Sequence, residues 1–175
     1  MAKKKERNCP CGSRIAFSKC CKYPKFGNTS EEIKKKITRV IVLTFDYIGE
    51  NRGETCLYVS TLIKDLLVEF GIKSYVVAGS SKWKNISTFY DWKPPLQFHA
   101  WVITEYGEVI DLACDALTKR KDMQGRTGIT SPKRCWEKEL SDREYIGKDF
   151  GAKSLQFDRN GYKLIKSQAL KLLRN

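Results

Sequence analysis

Residues 98–112 read FHAWVITEYGEVIDL, and the organisation of the chain follows from how this stretch folds back on itself. Two apolar runs, FHAWVIT and EVIDLA, meet at Glu105-Tyr106-Gly107. A three-residue turn with glycine in the left-handed position is a common hairpin connection, and it sets Thr104 opposite Glu108. The later pairs follow from that one: Trp101 opposes Asp111 and His99 opposes Ala113. His99 and Asp111 then share one face of the sheet as diagonal neighbours, roughly 7 Å apart at the backbone and within side-chain reach. A two-residue turn would put them on opposite faces.

His99 is the only histidine among 175 residues. An imidazole at the head of an apolar strand is either a satisfied core residue or a working group, and its neighbours decide which. Upstream, TCLYVSTLIKDLLVEF predicts a helix stopping at Gly71, with a buried stripe of Val59, Leu62, Ile63, Leu66, Leu67 and Phe70. Cys56 falls on the same face in the first turn. There the positive end of the helix dipole favours the reactive thiolate, although cysteine is also a common core residue. Between helix and hairpin lie a short strand, IKSYVVAG, and a long loop, SSKWKNISTFYDWKPPLQ. The loop carries Trp83, Phe89, Tyr90, Trp92 and Pro94-Pro95, and it either covers a cleft or packs as a satellite cluster.

Further upstream, Thr29 followed by Glu32 has the form of a capping box. Ile33, Ile37, Val40, Ile41, Thr44, Phe45 and Ile48 then recur at helical spacing as far as Gly49. Downstream of Ala116 the chain is basic and turn-rich. WEKELSDREYIGKD predicts a short helix, and GYKLIKSQALKLLRN an amphipathic one burying Tyr162, Ile165, Ala169, Leu172 and Leu173. Lys163, Lys166, Lys171 and Arg174 on that helix either contact phosphates or form a solvated face. Cys114 and Cys135 have no spacing that suggests chemistry.

The N-terminal stretch NCPCGSRIAFSKCCKYPK places Cys9, Cys11, Cys20 and Cys21 as C-x-C, eight residues, then C-C. A loop of that size brings four thiolates around one tetrahedral ion. Sulfur ligands without histidine favour zinc in a closed, structural site. Phe26-Gly27-Asn28 reads as a linker, dividing the chain into a knuckle at 1–27 and a main domain at 28–175.

Thirty-three Lys and Arg against 20 Asp and Glu give a net charge of +13. That charge suits polyanions such as RNA, DNA or an acidic protein surface, or it is simply a solvated basic surface. With no run of about 18 apolar residues and no signal-peptide pattern, the expectation is a cytoplasmic protein without a membrane partner. In that compartment cysteines serve metal binding or catalysis rather than disulfides.

Two resemblances extend this reading. Residues 8–25, with their CPCGS opening and paired-cysteine close, resemble the SEC-C motif, departing from it at Arg14-Ile15-Ala16. The resemblance implies a bound zinc and a docking role toward protein or ribosome. Residues 50–116 resemble the transglutaminase-like branch of the papain-like superfamily, in which a cysteine opens a helix and an HAWV-type strand and a following V-x-D strand supply the other groups. The implied fold is α+β, a papain-like helix plus antiparallel sheet. The implied site is Cys56 as nucleophile, His99 as general base and Asp111 as orienting acid. Asp115 has the right parity to compete with Asp111, and Asn51 is a candidate oxyanion donor.

The expectation is therefore a cysteine-dependent acyl-transfer enzyme acting on a protein or peptide amide: a peptidase, deamidase or transglutaminase-type crosslinker. The alternative is a non-catalytic zinc adaptor whose basic surface binds nucleic acid or the ribosome.

Overall fold

The computed structural model describes Ser18 and residues 23–84, 89–120, 131–148 and 151–174. Cys9, Cys11, Cys20 and Cys21, and with them the zinc knuckle, lie outside the described residues. The rest is an α+β fold in which an antiparallel half-barrel sheet packs against helices.

The first helix, α1, spans Glu31–Ile48 and ends at Gly49, whose φ of 72° is the left-handed conformation glycine adopts freely. Its cap is Ser30 rather than the expected Thr29, with the Ser30 side chain accepting the Ile33 N–H. Thr29 is engaged elsewhere: its backbone N–H and its hydroxyl both donate to the buried Glu108 carboxylate, the hydroxyl at 2.6 Å. A long-range demand thus displaced a local capping pattern by one residue.

Helix α2 spans Cys56–Glu69. Val59, Leu62, Ile63, Leu66 and Leu67 on it are fully buried, because it packs on the sheet as well as against other helices. Each such side chain contributes about 1.5–3 kcal/mol by leaving water, which makes α2 the centre of the core.

The central strand is β1, Ser74–Trp83. It continues well past the apolar run IKSYVVAG into the segment expected to be loop. That segment also contains a short strand, β2 (Phe89–Tyr90). The hairpin is β3 (His99–Thr104) and β4 (Val109–Asp111). Its register pairs Val102 with Ile110 and Ile103 with Val109, as the three-residue turn requires, and Gly107 has φ +78°. A 3-10 helix at Cys114–Lys119 follows. In place of the short helix expected within WEKELSDREYIGKD, the described chain forms two strands, β5 (Cys135–Glu137) and β6 (Arg143–Gly147). The described chain closes with α3 (Gly151–Ser154) and α4 (Arg159–Arg174). On α4, Tyr162, Ala169 and Leu173 are buried, while the partly exposed Lys166 pairs with Asp65 of α2 at 2.8 Å.

β1 pairs with β3 along its first half and with both β2 and β6 along its second. Strand alternation then separates two interiors. Ala78, Ala100, Val102 and Ile110 join the helices in the main core. Residues of the opposite parity, Trp83 and Tyr90 with Tyr145 against them, form a second cluster with Cys114 and Leu117. Trp83 and Tyr90 of the expected loop are therefore packed as a satellite core, while Trp92 packs against the main one. Among the described residues no helix is long and apolar enough to cross a membrane.

The residue just before the expected linker is docked. The Lys25 N–H donates to the Glu105 carbonyl at 2.8 Å, and the Lys25 ammonium pairs with the Glu105 carboxylate. Lys138 reaches the Gly27 carbonyl.

Candidate active site

His99 opens β3 and is 1% exposed. Its Nε2 lies 2.7 Å from Asp111 Oδ2, with both side chains withdrawn from solvent. Hairpin parity placed them on one face, and the side chains close the diagonal. Because an ionised carboxylate can only accept, Nε2 carries the proton, leaving Nδ1 as the nitrogen free to face another group. The Cys56 thiol also lies close enough to act on the imidazole, with a smaller effect than Asp111. The cysteine is the first residue of α2 and is 5% exposed. The three predicted residues are thus brought together from three elements.

Asp111 is held on both oxygens. Oδ2 receives His99 and the Tyr145 hydroxyl. Oδ1 receives the backbone N–H groups of Ala113 at 3.1 Å and Cys114 at 3.2 Å, so the same carboxylate closes the turn that leads into the 3-10 helix.

Burial by itself would lower the His99 pKa, since it penalises the imidazolium. The Coulombic and hydrogen-bonding pull of Asp111 outweighs burial, with a smaller contribution from Cys56, and holds the imidazole well above its ordinary 6.5. Burial would likewise raise Asp111, but His99, then Tyr145 and Ala113, draw it below its ordinary 3.8. Each member of the pair thus favours the charged form of the other.

Aromatic rings enclose the imidazole. Tyr90 stacks on it at a centroid separation of 5.9 Å, and Trp83 meets it edge-on at 5.4 Å. Tyr145 lies 5.9 Å away at 30° and itself stacks on Trp101 at 4.7 Å. The Arg120 guanidinium sits over the Tyr90 ring at 5.0 Å and donates to its hydroxyl.

Two other candidates have different roles. Asp115 does not compete for His99: it pairs with Arg52 at 3.0 Å and Arg134 at 3.3 Å. Arg52, which also reaches Asp46, thereby ties the turn before Cys56 to the 3-10 helix. Asn51 uses its side-chain oxygen to accept the Gly53 N–H at 2.8 Å, closing that same turn. Gly53 fits because a Cβ there would come within 2.8 Å of the Ala116 carbonyl.

Sequence reasoning missed Tyr145 and Arg143. The alternation in REYIG, with Arg143, Tyr145 and Gly147 of one parity, is the signal that marks a strand there. Cys114 and Cys135 are buried beside Asp111. Burial and the Asp111 charge push the Cys114 thiol well up, and the same causes push Cys135 to about 12. Both are poor nucleophiles. Among the described residues no group of three or more His, Cys, Asp or Glu is arranged to hold a metal ion.

No family model matches the chain, and no curated protein matches it. Among solved structures it is similar to a crystal structure described as a genomics target, with 16% identity and a TM-score of 0.55 over 87% of this chain and 82% of that one. At that identity the likeness concerns the fold alone.

Proposed function

We propose that this chain is a cysteine-dependent acyl-transfer enzyme of the transglutaminase-like, papain-like kind. The observation that carries the reading is the position of His99, held by Asp111 at Nε2 and partnered by the Cys56 thiol at the head of α2. Cys56 gives its proton to Nδ1, and its sulfur attacks the carbonyl carbon of an amide. The carbon–nitrogen bond breaks as the imidazolium returns the proton to the departing amine. Water or a second amine then cleaves the thioester, which makes the enzyme a peptidase, a deamidase or a crosslinker. The N–H groups of the first turn of α2 have no acceptors within the helix and supply oxyanion donors beside the nucleophile. The substrate is a protein or peptide amide.

The four N-terminal cysteines, of SEC-C type, are assigned one structural zinc on the chemistry of an all-thiolate donor set, and the knuckle tethers the enzyme to its partner. Activity-based labelling tests the catalytic reading. A thiolate-directed probe should label Cys56 far faster than Cys114 or Cys135, and the preference should vanish in His99→Ala. Equal labelling of the three would remove the enzyme reading.

A second reading, the zinc adaptor, is favoured by a groove of about 430 Å³ between α1 and β5, lined by Lys34, Lys35, Arg39 and Trp136. Cations beside an aromatic ring suit single-stranded nucleic acid. Salt-dependent binding of an RNA oligonucleotide, weakened by replacing Lys35 and Arg39 with glutamate, is what that reading requires.

A further inference from the structure

The phenol of Tyr145 and the imidazole of His99 donate to one and the same oxygen, Asp111 Oδ2. The other carboxylate oxygen is already held by the Ala113 and Cys114 N–H groups, which fix the carboxylate without help from β6. The phenol therefore has an electrostatic consequence beyond fastening Asp111: two donors on one oxygen divide its negative charge.

We propose that Tyr145 is a positioning residue that tempers His99 through Asp111, taking up part of the carboxylate's charge so that the imidazole can release the proton it accepts. This rests on the reading of Cys56 and His99 as the reacting pair. An imidazolium gripped by an undivided buried carboxylate would stabilise the thiolate yet return its proton slowly to a departing amine.

The surroundings suit such a role. Burial, then the charge of Asp111, drive the Tyr145 phenol far above its usual range, so it stays a donor throughout. Arg143 Nη1 lies 3.4 Å from the phenol oxygen and remains charged. The thiols of Cys114 on the 3-10 helix and Cys135 on β5 are pushed up by burial and stay neutral. Tyr90, stacked on the imidazole from β2, is bonded to Arg120. These groups hold their charge while the imidazole titrates.

The test uses the whole 175-residue chain, in which His99 is the only histidine, so its imidazole nitrogen resonances need no disentangling. They are titrated in wild type and in Tyr145→Phe, which keeps the ring and removes the donor. The His99 pKa should rise by about one unit in the variant, the worth of one charge-assisted hydrogen bond. The acid limb of Cys56 alkylation by iodoacetamide should move to lower pH alongside it. A hydroxyl that merely braced Asp111 would act in the opposite sense: the loosened carboxylate would release His99 and its pKa would fall. A fallen or unmoved pKa overturns the proposal. Should Tyr145→Phe not fold, 3-fluorotyrosine at position 145 replaces it. Being a stronger donor of nearly the same shape, it should lower the His99 pKa, and a raised or unmoved value counts against the idea. The nitrogen titration judges Tyr145 even if Cys56 labelling proves indifferent to His99, so failure of the tempering role and failure of the catalytic reading give different results.

Discussion

Gly79 faces His99 across one edge of β1 and Gly147 across the other. The strand that carries the imidazole and the strand that carries Tyr145 are thus held against a single backbone position. A Cβ at Gly79 would lie 2.0 Å from the Ile146 carbonyl oxygen and 2.9 Å from the Gly147 Cα. Gly79→Ala should therefore push β6 away, costing about 1–3 kcal/mol as in other overpacked interiors. By drawing Tyr145 off Asp111 it should also move the acid limb of Cys56 labelling to lower pH, as Tyr145→Phe should. Urea unfolding and labelling both unchanged would mean that β6 does not depend on this close approach.

The pH profile of Cys56 alkylation is the most direct measure of the site. Wild-type protein should remain reactive toward iodoacetamide at pH 6, His99→Ala should lose that reactivity, and Asp111→Asn should weaken it less, because it disturbs orientation more than proton transfer. Superimposable profiles for wild type and His99→Ala would end the catalytic interpretation.

Stability should vary with pH through the same pair. The folded His99 pKa lies above its ordinary 6.5, so its contribution is present below that value and is lost as pH rises toward the folded pKa. The folded Asp111 pKa lies below its ordinary 3.8, so its contribution is present above 3.8 and is lost as pH falls toward the folded value. The pair stabilises most between the two ordinary values. Unfolding free energies at pH 3, 5.5 and 9 should peak at the middle value, and the fall toward pH 9 should shrink in Asp111→Asn. The same alkaline decline in both proteins would show that His99 is not the source.

At the hairpin turn, Gly107→Val combines two penalties. Its φ of +78° strains a β-branched residue, and a Cβ there would lie 2.9 Å from the Pro24 ring. Strain of this kind costs about 1–3 kcal/mol, readable as a lowered melting temperature. A melting temperature within error of wild type would argue that the turn has another geometry.

For the N-terminal cysteines, the expectation is one zinc per chain, lost in the double variant Cys20→Ser with Cys21→Ser. The core built on α1, α2 and α4 draws its described apolar contacts from residues 33–173, so its melting should be little changed. Metal analysis finding no zinc in wild-type protein would discard the assignment.

Local chemistry made the face shared by His99 and Asp111 readable and left its back wall hidden. Gly107 and the three-residue turn set the register that aligned His99 with Asp111, and helical spacing put Cys56 at the head of α2. Those relations span a few residues of sequence each. Tyr145 reaches Asp111 because β6 pairs with β1, and Trp83 and Tyr90 reach His99 because β1 outlasts its apolar run. Such pairings depend on tertiary packing, which also let Glu108 claim Thr29 and gave the cap to Ser30. Asp115 and Asp111 share a parity, and only the position of Arg52 tells them apart.

Residues 24 and 25 are fastened to the Glu105–Gly107 turn, at the opposite end of β3 from His99. Five residues of strand separate His99 from Glu105, roughly 20 Å at the usual rise per residue. A force applied through the N-terminal segment is delivered to the turn, and the strand acts as a spacer between that anchorage and the imidazole. Under the proposed tethering role, a partner pulling on the N-terminal segment would load the turn and leave the Cys56 sulfur undisturbed.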